Sequence, residues 1–346
     1  MFGILLTGTV LAGKFSRKEQ PLEYANEMKK SVALTKEWFS IIEQLKMKKG
    51  IHSDASSHVS NQFMIGNEWS EITTTLGSLE AKETSTNPDF SALIIRLLHE
   101  ARINKGEKVG VVLSGSFPSL AISTLAALQI MGIDAAVMSS IGASTYGANQ
   151  PEVTWLDMES ELNKTGGLKY RSSLVSLGAG NDAGIGLSAE GLQMMQNAAV
   201  RNEVHLYIPE SLTKSIEKRV ELFNAEKISL LINIGGSQTA LGNCPHSTSI
   251  PNGLHAKLEK CPDENRGLIA RMNDQGVPYI QLLDIKNLAS QYGIAISPGI
   301  NYAESTNLYL TTQTQKPILG LILMVCLMPL YFLRKNIYPD ERLENQ

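Results

Sequence analysis

The sequence predicts an α/β protein: a mostly parallel sheet with helices on both faces, an amphipathic helix ahead of it, and apolar segments at the chain ends. Three observations predict it. From Asn87 onward, short apolar runs alternate with helix-length segments, the pattern of repeated strand–helix units. The runs are continuously apolar, as strands buried on both faces are. Glycine- and serine-rich turns follow several of them, where helices begin. The chain carries 31 Lys+Arg against 34 Asp+Glu, a net charge of -3, and so balanced a surface excludes nucleic acid as the main partner. With 43% hydrophobic and 19% charged residues, disorder is excluded for most of its length.

Met1 to Gly13 reads MFGILLTGTVLAG, which spans about 20 Å as a helix. The run is short for a membrane span and lacks the basic residues that open a secretory signal. Two readings fit: an anchor shortened by a start codon assigned too late, or an N-terminal strand or partial anchor. Over Leu22–Lys48, Ala25, Met28, Val32, Thr35, Phe39 and Ile42 recur by three and four, one apolar stripe of a helix. This helix is expected to pack on the domain that follows or to pair with a copy of itself, and with the polar connection after Gly50 it makes up a segment 20–60. The α/β domain is expected over 61–312.

Within that domain Asn87-Pro88-Asp89 supplies an N-cap and a proline at the first helical position, opening a helix through Arg102. Strands are expected at 108–113, 134–139, 174–177, 204–208, 228–234 and 277–283. Helices are expected at 118–131, 189–202, 210–224, 265–274 and 285–291. This succession makes the sheet Rossmann-like.

Pro317 to Leu333 is seventeen residues without a charge, about 26 Å of helix against a ~30 Å hydrocarbon core. It is expected to be a transmembrane helix, and Arg334, Lys335 and Arg342 place the tail 334–346 in the cytoplasm and the main domain outside it. Lys14, Arg17, Lys18 and Lys316 oppose that orientation. Cys244 and Cys261, sixteen residues apart in a loop rich in Pro, Gly and Asn, fit a disulfide of about 3 kcal/mol if the domain faces an oxidising compartment. No cysteine or histidine spacing suits zinc, so neither metal nor cofactor is expected.

Four places could carry chemistry. The first is Ser114-Gly115-Ser116-Phe117-Pro118-Ser119, a strand-to-helix turn whose backbone N–H groups and hydroxyls suit an anion. It matches neither a Walker loop nor a nucleophile elbow, and anion binding, plain capping and a nucleophilic Ser116 all fit it. The second runs from Ser139 to Asn149, with Ser140, Ser144, Tyr146 and Asn149 as uncharged donors, and leads to Asp157 and Glu159, of which only one is expected to face a site, Asp157 fitting an N-terminal helix charge equally well. The third is Gly178 to Gly186, where Asp182 could meet a cation or amine, and which fits a flexible turn capped by Ser188 equally well. The fourth is Gly235-Gly236-Ser237. All four follow strands, so they are expected to share one crevice at the sheet's carboxyl edge.

Taken as a set, Ser-Gly-Ser-Phe-Pro-Ser at 114–119, Ser-Ser-Ile-Gly-Ala-Ser at 139–144, Gly-Ala-Asn at 147–149 and Thr-Trp-Leu-Asp-Met-Glu at 154–159 resemble the poly-gamma-glutamate system protein family of bacteria. Asn-Pro-Asp-Phe at 87–90, Gly-Leu-Ser at 186–188 and Ile-Asn-Ile-Gly-Gly at 232–236 extend the resemblance. It implies a bacterial cell-membrane protein that accompanies capsule-type polymer synthesis and export proteins, and it brings no catalytic residues. The expectation is an accessory protein that handles the anionic polymer outside the cytoplasm, with Arg171 and Arg201 as its cations. A hydrolase or transferase using Ser116 with Asp157 or Asp182 is one alternative; a structural subunit is another.

Overall fold

A computed structural model describes residues 17–52, 58–242, 250–258, 266–302 and 305–337. Among the described residues the first elements are β1 (Arg17–Pro21) and α1 (Ala25–Lys48). β2 (Thr73–Thr75), α2 (Leu79–Ser85) and α3 (Asp89–Glu100) precede the strand–helix series. That series is β3 (Lys108–Ser114), α4 (Pro118–Met131), β4 (Asp134–Ser140), β5 (Ala143–Ser144), α5 (Trp155–Thr165), β6 (Ser172–Ser176), α6 (Ala189–Arg201), α7 (Leu212–Glu226), β7 (Leu230–Ile234), α8 (Gln238–Leu241), β8 (Gly253–His255), α9 (Leu268–Asp274), β9 (Tyr279–Leu282) and α10 (Ile285–Tyr292). β10 (Leu310–Thr314) and α11 (Lys316–Ile337) follow. The chain divides into two compact units, Asn26–Leu308 and the two chain ends.

In the larger unit six strands form one sheet in the order β6-β4-β3-β7-β9-β8, parallel except for β8. From β3 the chain steps outward to β4 and β6, then returns to place β7 on the other side of β3. That reversal is the topological switch at which open α/β sheets leave a crevice. Successive side chains point to opposite faces. Val112, Met138, Leu231 and Tyr279 face a core with Ile216 and Phe223 of α7 and Leu268 and Met272 of α9. Their neighbours Val111, Val137, Ile232 and Ile280 are just as buried, so both faces are covered.

Helix α1 buries the stripe the sequence marks, Met28, Val32, Thr35, Phe39 and Ile42, with Trp38 beside it. Trp38 Nε1 donates to Gly166 O at 2.8 Å and Ser31 Oγ to Ser91 Oγ at 3.2 Å, so the helix packs into the α/β unit. The expected strand at 204–208 is reduced to a single bridge, Val175 with Leu206. It lies outside edge strand β6, with His205 and Ile208 exposed, and Pro209 ends any ladder.

In the smaller unit β1 and β10 pair antiparallel, Arg17 opposite Thr314 and Pro21 opposite Leu310, with Leu22 N donating to Tyr309 O at 2.9 Å. α11 follows, its Leu321, Met324, Val325, Met328 and Phe332 exposed. Among the described residues no helix is long and apolar enough to cross a membrane, so the expected span at 317–333 is not supported. Lys316, Arg334 and Lys335 bound the apolar run and keep it short of a full hydrocarbon core. Cys244, Cys261, the N-terminal run 1–13 and the tail beyond Ile337 lie outside the described residues.

Candidate functional site

The segments after β3, β4, β6 and β7 line one crevice of about 750 Å³. Ser114, Ser116, Ser140, Ser144 and Gly236 all line it, as does Asp182. A fifth segment, Thr74 to Lys82, completes the wall. It is placed by parallel pairing of β2 with β5, Thr73 opposite Ala143 and Thr75 opposite Ser144.

Lys82 is the group that sequence reasoning missed. It sits on α2, a two-turn helix capped by Ser78, whose Oγ accepts from Ala81 N at 3.3 Å. Its side chain is 3% exposed. The Nζ donates to Ser116 O and, at 2.7 Å, to Ser144 Oγ, and lies 3.8 Å from the Phe117 ring centroid. Among the described residues it forms no ion pair, and burial pushes its pKa down to about 7. Two signals could have found this helix: Ser78 as a cap and Glu80 in the first turn.

The turn at 114–119 works differently from the expectation. Gly115 does not line the crevice. Its N donates to Ser140 O at 3.0 Å and its O accepts from Ala148 N at 2.7 Å. A Cβ there would stand 2.6 Å from Ile141 O, so the glycine admits the 140–148 loop and not a ligand. Ser116 N donates weakly to Ser114 Oγ at 3.4 Å, while Ser116 Oγ accepts from Ser144 N at 3.0 Å. Gly235, at φ +98, sits behind the wall, where a Cβ would come within 3.0 Å of Ser114 Oγ.

Neither acid proposed as a base is available. Asp182 accepts from Ser176 Oγ and Ser215 Oγ, each at 2.7 Å, and pairs with buried Arg219 at 2.9 Å. Asp157 is remote from the crevice. It caps α5 by accepting from Thr154 N at 2.7 Å, and also accepts from Arg201 Nε and Asn202 Nδ2 at 2.7 and 2.8 Å. Burial raises its pKa, but these donors, Arg201 foremost, outweigh burial and hold the carboxyl below its usual range. Glu159 accepts from Ser172 N and Oγ; burial, partly offset by those bonds, raises its pKa.

The expected cations are engaged elsewhere as well. Arg201 holds Asp157, and Arg171 donates to Asn202 O at 2.9 Å. Asn149 is fully buried: it accepts from Asn67 N at 2.9 Å and donates to Asn67 O at 2.8 Å. It latches the 66–73 loop and offers nothing to a ligand. No protein-family model, curated protein or solved structure matches the chain.

Proposed function

We propose that the crevice binds a segment of an anionic, amide-linked chain of the poly-gamma-glutamate type, and that the protein is a membrane-attached accessory to the synthesis or export of that polymer, acting outside the cytoplasm. The charge balance of the crevice carries this reading. Among its described lining residues Lys82 and Asp182 are the only charged side chains, and the Asp182 charge is already matched by Arg219. What remains is one buried amine among serine and threonine hydroxyls, a lining that tolerates carboxylates and offers amide groups many partners. The motif set at 114–159 and 232–236 supports the choice of polymer, and the exposed apolar side chains of α11 support attachment to lipid.

Ser237→Asp tests the binding reading. Ser237 lines the crevice and caps α8, accepting from Ala240 N at 3.3 Å, and aspartate caps equally well. The full chain in detergent is expected to bind poly-gamma-glutamate oligomers in a salt-sensitive manner, and the variant about tenfold or more weakly because of the added negative charge. Equal affinity of both proteins, measured by calorimetry, would remove the reading.

A further inference from the structure

The geometry points to a second property of the same crevice, which rests on its reading as a polymer site: Ser144 is a nucleophile toward the amide bonds of the bound chain, and Lys82 is its general base. Ser144 Oγ and Lys82 Nζ are 2.7 Å apart, both side chains are more than nine-tenths buried, and both line the crevice. The pair is held from several sides. The Ser144 backbone N donates to Ser116 Oγ at 3.0 Å. The next residue is tied to β2, with Thr145 N donating to Thr75 O at 2.9 Å. Lys82 is fixed by its bond to Ser116 O and by the Phe117 ring. A nucleophile and base on constrained elements meet the positional demand of covalent catalysis.

Lysine works as a base only when neutral, and burial without an acidic partner lowers its pKa to about 7. A neutral amine can donate one hydrogen to Ser116 O and accept the Ser144 hydroxyl proton with its lone pair. In the first step Ser144 Oγ bonds to the amide carbonyl carbon and its proton passes to Lys82 Nζ. The carbon–nitrogen bond then breaks, and the leaving amine takes that proton from Lys82. The resulting Ser144 ester is opened by water or by the amine end of another chain. The attacking group gives a proton to Lys82, the ester bond breaks, and Lys82 returns the proton to Ser144 Oγ. Water as acceptor shortens the polymer; an amine transfers it.

A fluorophosphonate probe tests this on the full chain, because it forms a stable adduct only with an activated serine. The adduct is expected on Ser144, mapped by peptide mass spectrometry, and absent in Ser144→Ala. Its rate should rise with pH through an inflection near 7 as Lys82 loses its proton. Lys82→Met should label at least about 100-fold more slowly, the scale of a lost general base. Should that variant fail to fold, the pH inflection of the wild-type protein decides the role of Lys82. Wild-type protein that gives no Ser144 adduct at pH 8, or labels at a rate independent of pH between 6 and 9, overturns the proposal. Oligomer binding by Ser144→Ala is measured in parallel. Binding without an adduct in the wild type removes the nucleophile and leaves the polymer site. An adduct without binding supports the nucleophile and removes the polymer.

Discussion

At the scale of single residues, two of the described lysines lie where lysine is rarely found. Lys46 is 1% exposed, its pKa is pushed down to about 7 by burial, and its Nζ reaches Ile65 O only at 3.4 Å. A lysine whose folded pKa lies below its unfolded value binds fewer protons in the folded state. Stability therefore rises as pH climbs from about 7 toward 10.5. Lys46→Met is expected to raise the urea midpoint at pH 7, by an energy on the order of a few kcal/mol, and to narrow its lead over wild type by pH 10. Urea titrations of both proteins at pH 7, 8.5 and 10 check this; a lead that does not change with pH rules it out. The same scale explains what sequence could not disclose. Asp182 reads as a free acid in a glycine-rich loop because its partners Ser215 and Arg219 come from a distant helix. Asp157 reads as half of an acidic pair, yet Arg201 approaches it from another helix.

At the scale of elements, periodicity and capping carry far. The helix at 118–131 is as the sequence marks it, with its proline at the start and Gly132 in the left-handed conformation at its end. The stripe of α1 and the continuously apolar strands β3, β4 and β7 are equally legible, because burial itself selects their residues. Short elements are not. β5 has two residues and β8 three, too few to show a period, and α2 has a polar sequence that hides the buried Lys82. Gly115, in the turn expected to hold an anion, is opaque for a related reason: a glycine in a turn announces a close approach without saying of what. Since the approaching group is Ile141 O, Gly115→Val is expected to force the 140–148 loop outward. It should cost about 1–3 kcal/mol of stability, visible in thermal unfolding without any ligand. An unchanged unfolding curve would contradict that packing.

At the scale of the whole molecule, the four loops legible as chemistry-bearing come together because parallel strands end on the same edge, and the β3–β7 reversal opens a gap there. That much follows from pattern. The wall at 74–82 does not, since β2 joins β5 across about seventy residues of intervening chain, a pairing no local signal encodes. The partnership of β1 with β10 is still more remote, and RKEQP is too polar to read as a strand.

That terminal ribbon has a mechanical consequence. The chain enters the α/β unit after Pro21 and leaves it before Leu310, so the unit is a closed loop tethered through two adjacent strands. The antiparallel register also makes the chain leave the ribbon toward both termini at one end, beside Arg17 and Thr314. Tension from that end runs along two covalent backbones side by side, and the hydrogen bonds between the strands are neither sheared nor unzipped by it. A single cut cannot release the load. A protease site introduced between Leu308 and Leu310 should leave the α/β unit co-eluting with α11 after complete cleavage, held through β1 and its pairing with β10, and only a second cut between Leu22 and Ala25 should free it. Release after the first cut alone would mean that the second tether does not hold.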